Sequence, residues 1–411
     1  MSDSALPRIR TLDLIRGVAV LGILAVNVIS FAAAPSANYS PDLPRPGSAA
    51  DEWAYLAMLI VFEGKMRALF SILFGASLLL FVERSDAAGH DGEARQLRRL
   101  GWLGLFGLLH FFLLWQGDIL FLYAVIGAVA LFLRRAPPVA LAASALFLFS
   151  LWQGWNWHEW QAPLQAEAAA HAGTASPAQT SALAQAIAQY RADDQTELAA
   201  VQQGWTGLVA YKLQEKWHRP LLAVMFVSGE TLTYFLIGMA LFKSGLFAGR
   251  WPHHWTAAVA LGGLGLGGIA TCAFAGWARN AHFPEQAMIF AIGYGLSFAH
   301  LAMALGYTAT LVLLAQWVLT TRLGQRIEAA GRMALSNYLG TSLVMTALFY
   351  GWGFGLSDRF GHAALAGFVL LGWTMMLAWS QPWLAHFRQG PIEWLWRSLT
   401  AGSLQPLRIT T

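Results

Sequence analysis

The chain has 411 residues, of which 57% are hydrophobic and only 12% are charged. A typical soluble protein carries about 25% charged residues, so this composition cannot cover the surfaces of two or three soluble domains. The net charge of +4 is not gathered into a basic block, and this excludes a nucleic-acid-binding protein. The composition therefore predicts an integral membrane protein with membrane lipids as its surroundings and no nucleic acid as a partner.

Long apolar segments predict an all-α, polytopic bundle of about ten transmembrane helices. A bilayer requires about 20 apolar residues per helix. The segments that meet or approach this length are 13–33, 54–82, 100–116, 118–133, 138–155, 220–242, 256–277, 287–319, 333–355 and 363–385. The second and the eighth are long enough to tilt, or to begin as interfacial helices.

The basic residues predict the orientation of the bundle. With the N-terminus in the cytoplasm, 17 Lys and Arg residues lie on that side and 7 on the other, and Lys65 and Arg67 fall inside the second span. Cytoplasmic loops carry the excess of Lys and Arg. We therefore expect both termini in the cytoplasm.

The span pattern divides the chain into three parts: an N-terminal membrane half at 1–155, an external region at 156–219 and a C-terminal membrane half at 220–411. Within the external region, Ser176 followed by Pro177 is typical of a helix start, with the serine as N-cap and proline at the first helical position. We expect surface helices that cap the outer face. A merely solvated loop is the alternative.

Ionisable groups at membrane depth are costly, and each is a candidate functional residue. Asp13 and Arg16 open the first span, and Asn27 lies eleven residues after Arg16. Eleven residues make about three turns, or about 16 Å along the axis, so Arg16 and Asn27 share one face at two depths. For Asp13, a role as an interfacial anchor is equally compatible with its position.

Glu63, Lys65 and Arg67 interrupt the second span. Glu63 and Arg67 are four residues apart and can form an ion pair on one face of a helix. A purely structural role, holding a helix junction at the outer interface, is the alternative.

His110 lies near the end of the third span, and Asp118 follows after a tight Gln116-Gly117 connection. A contact across this short turn would orient the imidazole and raise its basicity. The alternative is a histidine that only ties two helices together.

Other polar residues are weaker candidates: Glu230, His300, Asn337 and Tyr338. The segment from Pro391 to Arg397, with Trp394 and Trp396, predicts an amphipathic helix at the inner interface. Gly351, Gly353 and Gly355 do not make a dinucleotide site, because no strand precedes them. No zinc signature is present, and we expect no metal.

Several of these segments together resemble the YeiB-like bacterial membrane proteins, whose C-terminal half is a domain of unknown function. The motifs that carry the resemblance are Arg10-Thr-Leu-Asp13-Leu-Ile-Arg16-Gly17 followed by Asn27, Lys65 with Leu-Phe70-Ser71-Ile-Leu-Phe74-Gly75, Leu-His110 with Gly117-Asp118-Ile-Leu and Tyr123, Ser336-Asn337-Tyr338-Leu, and Gly390-Pro-Ile-Glu393-Trp-Leu-Trp-Arg397. The resemblance covers most of the chain except 156–219 and implies a bacterial inner membrane.

That family is similar to the transmembrane acyltransferase superfamily, which includes heparan-α-glucosaminide N-acetyltransferase. The similarity implies transfer of an acyl group from acyl-CoA, with acetyl-CoA as the expected donor, to an acceptor at the outer face. In the O-acyltransferase branch an Arg is followed by His eleven residues later. Here Arg16 matches, but Asn27 stands at the His position and Ala33–Asp51 contains no His.

The resemblance thus leaves the base open, and His110, Glu63 and Asp118 are the candidates. Asn27 would orient the acyl carbonyl. We expect the acyl-CoA donor to be bound by four residues: Arg16, Asp13, Lys65 and Arg67. A sugar or lipid-linked acceptor and a second copy of the chain are the further partners expected.

Two other function classes explain the same buried polar groups. A transporter or flippase would use them as a substrate path, but the sequence shows neither an inverted repeat nor paired broken helices. A non-catalytic membrane scaffold is the third alternative.

Overall fold

The structure is a computed structural model that describes residues 9–409, and its secondary structure is helical. In chain order the α-helices are α1 (Arg10–Ala32), α2 (Ala49–Val61), α3 (Lys65–Ala87), α4 (Gly92–Leu113), α5 (Leu120–Leu131), α6 (Pro138–His171), α7 (Pro177–Val201), α8 (Trp205–Glu215), α9 (Arg219–Ser244), α10 (His253–Asn280), α11 (Glu285–Phe290), α12 (Ser297–Val318), α13 (Arg322–Arg332), α14 (Ala334–Phe349), α15 (His362–His386) and α16 (Pro391–Ala401). Short 3₁₀ turns lie at Pro35–Asn38 and Leu246–Ala248, and a π turn lies at Ala291–Gly295.

Within residues 9–409, seven stretches of helix are long and apolar enough to cross a membrane: α1, α2 with α3, α6, α9, α10, α12 and α15. The shorter apolar helices α5 and α14 coincide with predicted spans four and nine, and α4 coincides with span three. The predicted fold class, a polytopic all-α membrane bundle, is confirmed.

Helix α1 lies at the centre of the bundle and packs against α3, α13, α14 and α15. Its small and branched apolar side chains, such as Ala19, Val20 and Val28, are almost fully buried. Helices α6 and α10 lie at the periphery, and α10 exposes Leu261 and Ile269. Apolar side chains can face outward here because lipid tails are as apolar as the side chains themselves.

Two predicted spans are interrupted within their apolar stretch. The second span breaks at 62–64 between α2 and α3, and the eighth consists of α11, the π turn and α12. Hydropathy alone does not register these breaks, because the interrupting residues are few and mostly apolar.

The region 156–219 forms helices, as expected. Helix α6 continues without a break from the membrane to His171, so residue 155 is not a helix end. Helix α7 begins at the predicted position: Ser176 is the N-cap, its hydroxyl accepts from the amide of Gln179, and Pro177 is the first helical residue. The amide of Ser36 donates to Asp194 at 3.0 Å, which fixes α7 against the end of α1.

Candidate functional site

A histidine–aspartate pair is buried where α4 turns into α5. His110 Nδ1 lies 2.8 Å from Asp118 Oδ2, and the two side chains are 1% and 2% exposed. The other carboxylate oxygen, Oδ1, accepts from the backbone amide of Phe121 at 3.0 Å. The predicted contact across the short turn is therefore confirmed.

The pair has a defined polarity. An ionised carboxylate can only accept hydrogen bonds, so the Nδ1–H of neutral His110 donates to Asp118 and Nε2 keeps its lone pair. His110 Nε2 is buried and has no hydrogen-bond partner within residues 9–409. The imidazole is thus oriented by one nitrogen and free to accept a proton on the other.

Gly107, one turn before His110, permits this arrangement. A Cβ at position 107 would lie 2.4 Å from the amide nitrogen of Phe121 and 2.7 Å from Asp118 Oδ1. Glycine is the residue that lets the start of α5 approach α4 closely.

The imidazole lies between residues of two separate cavities. Its ring centre is 5.2 Å from that of Tyr338 and 6.1 Å from that of Trp115. Tyr338 lines a cavity at the end of the bundle where α1 begins, and Trp115 lines a cavity at the end where α1 finishes. The cavity lined by Tyr338 is named the basic cavity and the cavity lined by Trp115 the acidic cavity, after the charged residues in their walls.

The basic cavity has a volume of about 160 Å³ and three arginines in its wall, Arg16, Arg99 and Arg332. Arg16 donates to Asp13 at 2.9 Å and to the hydroxyl of Ser77 at 2.8 Å. Its deeper walls consist of apolar and aromatic side chains of α1, α3, α4 and α5, together with Tyr338. Three arginines against one carboxylate, Glu393, beside apolar walls suit an anionic ligand with a slender chain.

Helix α16 closes one side of the basic cavity. The Arg99 guanidinium lies over the ring of Trp396, 4.1 Å from its centre. Glu393 accepts from the backbone amides of Leu335 and Ser336 at 2.7 and 3.0 Å, and so caps the start of α14. Burial raises the pKa of the Glu393 carboxyl. The C-terminal helix is confirmed from Pro391 onward. The Glu393 side chain, however, accepts hydrogen bonds from the start of α14.

The acidic cavity has a volume of about 390 Å³ and is lined by four carboxylates, Asp193, Asp194, Glu197 and Glu285. Arg219 is the one basic residue that lines it. Asp118 lines a neighbouring cavity of about 390 Å³, whose wall shares Phe111, Gln116 and Arg219 with the acidic cavity. Asp118 therefore lies nearer to the acidic cavity than to the basic cavity.

One face of α1 runs from the first cavity to the second. Arg16, Val20 and Ile23 line the basic cavity, and Ser30 lines the acidic cavity. These positions recur at helical spacing, and Asn27 occupies the same face between Ile23 and Ser30. The predicted placement of Arg16 and Asn27 on one face at two depths agrees with the structure, and Asn27 is half-buried.

Lys65 and Arg67 do not join Arg16 at the basic cavity. Lys65 is fully buried and donates to the carbonyl of Leu59 at 2.7 Å. It precedes Ser77, the partner of Arg16, by twelve residues of α3, or about 18 Å of helix. The four residues expected to bind the donor therefore do not form one site: Arg16 and Asp13 lie together, and Lys65 and Arg67 lie apart from them.

The ion pair expected between Glu63 and Arg67 is wrong. Arg67 pairs with Glu230 of α9 at 2.8 Å, and Glu230 also accepts from Tyr234 at 2.7 Å. Gly64, at φ +70°, breaks the helix between residues 63 and 65, so the geometry of a continuous helical turn does not apply. Glu63 is half-buried in this break.

The helix junction at Gly64 packs on α12. A Cβ on Gly64 would lie 2.0 Å from His300 Nδ1, so the α12 histidine packs directly on the glycine. His300 is fully buried, and both its ring nitrogens lack a hydrogen-bond partner within residues 9–409. The junction in the second span therefore contacts the eighth predicted span.

Asn337, a weaker candidate, is structural. Its amide donates to the Ala330 carbonyl and the Ser380 hydroxyl at 3.0 and 3.1 Å, and accepts from Trp379 at 2.7 Å. It ties α13, α14 and α15 together. Sequence reasoning missed Arg99 and Arg332 as cavity residues, because both were counted only as cytoplasmic charges.

Lys212 of α8 is a buried lysine within the region 156–219. It is 2% exposed, and Nζ donates to the Leu114 carbonyl at the end of α4 at 3.0 Å. Burial lowers the pKa of this lysine from 10.5 to about 7. Protonating Lys212 in the folded protein therefore costs free energy. The full cost applies below pH 7, where the lysine is protonated in both the folded and the unfolded state. No cost remains above pH 10.5, where the lysine is neutral in both states.

We expect the thermal stability of the wild type, relative to Lys212→Met, to rise between pH 7 and pH 10.5 and to be constant below pH 7. Thermal unfolding midpoints of both proteins across this range measure the difference. Lys216→Met is the control: although burial opposes it, hydrogen bonds to Glu197 and Tyr211 raise the pKa of Lys216. A flat difference for Lys212→Met would contradict the expectation.

The fold and the buried polar site define a polytopic helical membrane protein. The family model described as "Protein of unknown function (DUF418)" matches residues 241–403. The chain is 31% identical to the uncharacterised protein YxaH of Bacillus subtilis (strain 168), over 97% of this chain and 96% of that protein. It is 30% identical to the uncharacterised protein YeiB of Escherichia coli (strain K12), over 96% and 97%.

The chain therefore belongs to the YeiB-like family of membrane proteins, as the motifs indicated. A third relative, an uncharacterised 39.9 kDa protein of Bacillus acidopullulyticus, is 26% identical over 97% of the chain and 96% of its own length. No solved structure matches the chain.

Proposed function

We propose that this protein is a membrane-embedded acyltransferase that moves an acyl group from cytoplasmic acyl-CoA to an acceptor at the outer face. The observation that supports it is the His110–Asp118 pair, buried between residues that line the basic and the acidic cavity. An oriented imidazole with a carboxylate partner suits proton abstraction near neutral pH.

The donor would enter through the basic cavity. Arg16, Arg99 and Arg332 supply positive charge for the phosphates of CoA. The cavity volume of about 160 Å³ is below that of sites for drug-sized ligands. It is large enough for the thiol end of the pantetheine arm with a short acyl group such as acetyl, while the rest of CoA would stay outside the cavity.

The chemistry requires one proton to move twice. His110 Nε2 takes the proton of the acceptor hydroxyl or amine, and the acceptor attacks the thioester carbonyl. The new C–O or C–N bond forms as the C–S bond breaks, and the proton passes from Nε2 to the departing thiolate of CoA. Asn27, on the α1 face between the cavities, would orient the acyl carbonyl, and the acidic cavity would hold the acceptor.

This proposal places the protein in the bacterial inner membrane with both termini in the cytoplasm. The basic cavity then opens to the compartment that contains acyl-CoA. The excess of Lys and Arg on the loops at that end supports the orientation.

We expect Arg16→Ala to weaken CoA binding by about tenfold or more, because a charge-assisted hydrogen bond contributes about 1.5–3 kcal/mol. Calorimetry on the purified protein in nanodiscs measures the affinity. Arg322→Ala is the matched control, since Arg322 is an exposed arginine at the start of α13, outside the cavity wall. Unchanged affinity in Arg16→Ala, or no CoA binding by the wild type, would count against the acyltransferase.

Transport is the second candidate function, and the helix junction at Gly64 favours it. Broken helices at membrane depth commonly form the substrate or ion sites of transporters. Here the α2–α3 break at Gly64 meets His300 of α12, next to Lys65. Movement of substrate across proteoliposomes without acyl transfer would favour this alternative, and a non-catalytic scaffold predicts neither activity.

A further inference from the structure

The acidic cavity is lined by buried polar atoms that have no hydrogen-bond partner among the described residues. Ser36 and Ser357 line the cavity and are 4% and 6% exposed, and their hydroxyl oxygens have no hydrogen-bond partner within residues 9–409. Asp194 Oδ2 accepts no hydrogen bond either, and lies 3.8 Å from Arg191. Buried polar groups are normally satisfied, and a cluster of exceptions around one cavity points to a bound polar ligand.

The carboxylates of the cavity wall are not equally paired. Arg191 pairs with Glu285 at 2.8 Å, and Lys216 pairs with Glu197 at 2.6 Å. Arg219 lies 4.0 Å from Glu197, and Lys212 also interacts with Glu197. Asp193 has only the neutral amide of Gln189 as a partner among the described residues, at 3.0 Å. Asp193 is therefore a carboxylate of the wall that carries no ion pair within residues 9–409.

Aromatic side chains complete the wall. Tyr39, Trp115 and Tyr190 line the cavity, and a cation near the face of such a ring is attracted by its quadrupole. A carboxylate without an ion pair, aromatic rings and two unsatisfied hydroxyls together suit an ammonium group with neighbouring hydroxyls.

We infer that the acidic cavity binds the head group of an amino alcohol, a protonated amine with neighbouring hydroxyl groups. Asp193 and the aromatic rings hold the ammonium, while Ser36 and Ser357 hydrogen-bond to the hydroxyls. The inference that an amino alcohol is the acyl acceptor rests on the proposed transferase function. The inference that an amino alcohol binds in the acidic cavity does not, because the cavity is formed by this chain whether or not acyl-CoA binds.

Serinol and glycerol are suitable probes, since serinol is glycerol with its central hydroxyl replaced by an ammonium. Binding to the full-length protein in nanodiscs is measured by calorimetry at neutral pH, without acyl-CoA. We expect serinol to bind about tenfold more tightly than glycerol.

Asp193→Asn should remove that preference and leave glycerol binding unchanged, because Asp193 is half-buried and carries no ion pair among the described residues. Ser36→Ala with Ser357→Ala should weaken both probes alike. The matched control is Glu215→Gln, an exposed carboxylate of α8 outside the cavity wall, which should change neither.

Equal affinity for the two probes, failure of both to bind, or full serinol affinity in Asp193→Asn would overturn the inference. Tight serinol binding in a protein that does not transfer acyl groups would instead retain the site and reject the transferase, so the two failures are distinguishable.

Discussion

His110→Ala is expected to abolish acyl transfer while CoA binding is retained. Loss of a positioned general base costs about 10²–10⁴-fold in rate. The side chain is 1% exposed, and its Nε2 is the nitrogen left without a hydrogen bond, whereas the arginines of the basic cavity lie elsewhere. Transfer from labelled acetyl-CoA in membranes, measured beside CoA affinity, separates chemistry from binding.

Two further variants distinguish catalysis from helix packing. Asp118→Asn should give a partial loss, since the amide still contacts Nδ1 but no longer stabilises the protonated imidazole. His110→Gln keeps hydrogen-bonding capacity without a base, and so should be stable but inactive. An active His110→Gln with a normal unfolding midpoint would remove His110 from the mechanism and leave Glu63 as the next candidate.

Arg67→Met is expected to destabilise the folded bundle by about 3–5 kcal/mol, because it leaves a buried carboxylate without its cation. Glu230 has a side chain only 5% exposed, and Arg67 is its ion-pair partner at 2.8 Å. Unfolding in mixed detergent micelles, followed by circular dichroism, measures the free energy.

The double variant Arg67→Met with Glu230→Met should recover most of this loss, since neither charge then remains. Arg10→Met is the control: Arg10 is 53% exposed in its pair with Glu328, and exposed pairs contribute about 0–1 kcal/mol. A loss in Arg67→Met no larger than that of Arg10→Met would show that the pair at α3 and α9 does not hold the bundle together.

The class of protein and the features that depend on local geometry could be predicted from the order of residues alone. Apolar length predicted the membrane helices, Ser176 and Pro177 predicted the start of α7, and Pro391 predicted α16. The contact between His110 and Asp118 was predictable because eight residues and one tight turn separate them, so few arrangements of the chain were available.

Which distant groups meet depends on how the helices pack in three dimensions. Arg67 pairs with Glu230 of α9, Gly64 packs on His300, and the amide of Ser36 donates to Asp194. Helical periodicity gives the face of a side chain but not the neighbouring helix, because every span is apolar enough to pack against several others. The break at Gly64 agrees with the helix junction that was one of the two interpretations of Glu63, Lys65 and Arg67. The π turn at Ala291–Gly295 was not predicted, since a short interruption scarcely changes the hydropathy of a long span. The two cavities, and the position of the histidine between them, exist only once α1, α4, α7 and α14 are packed together.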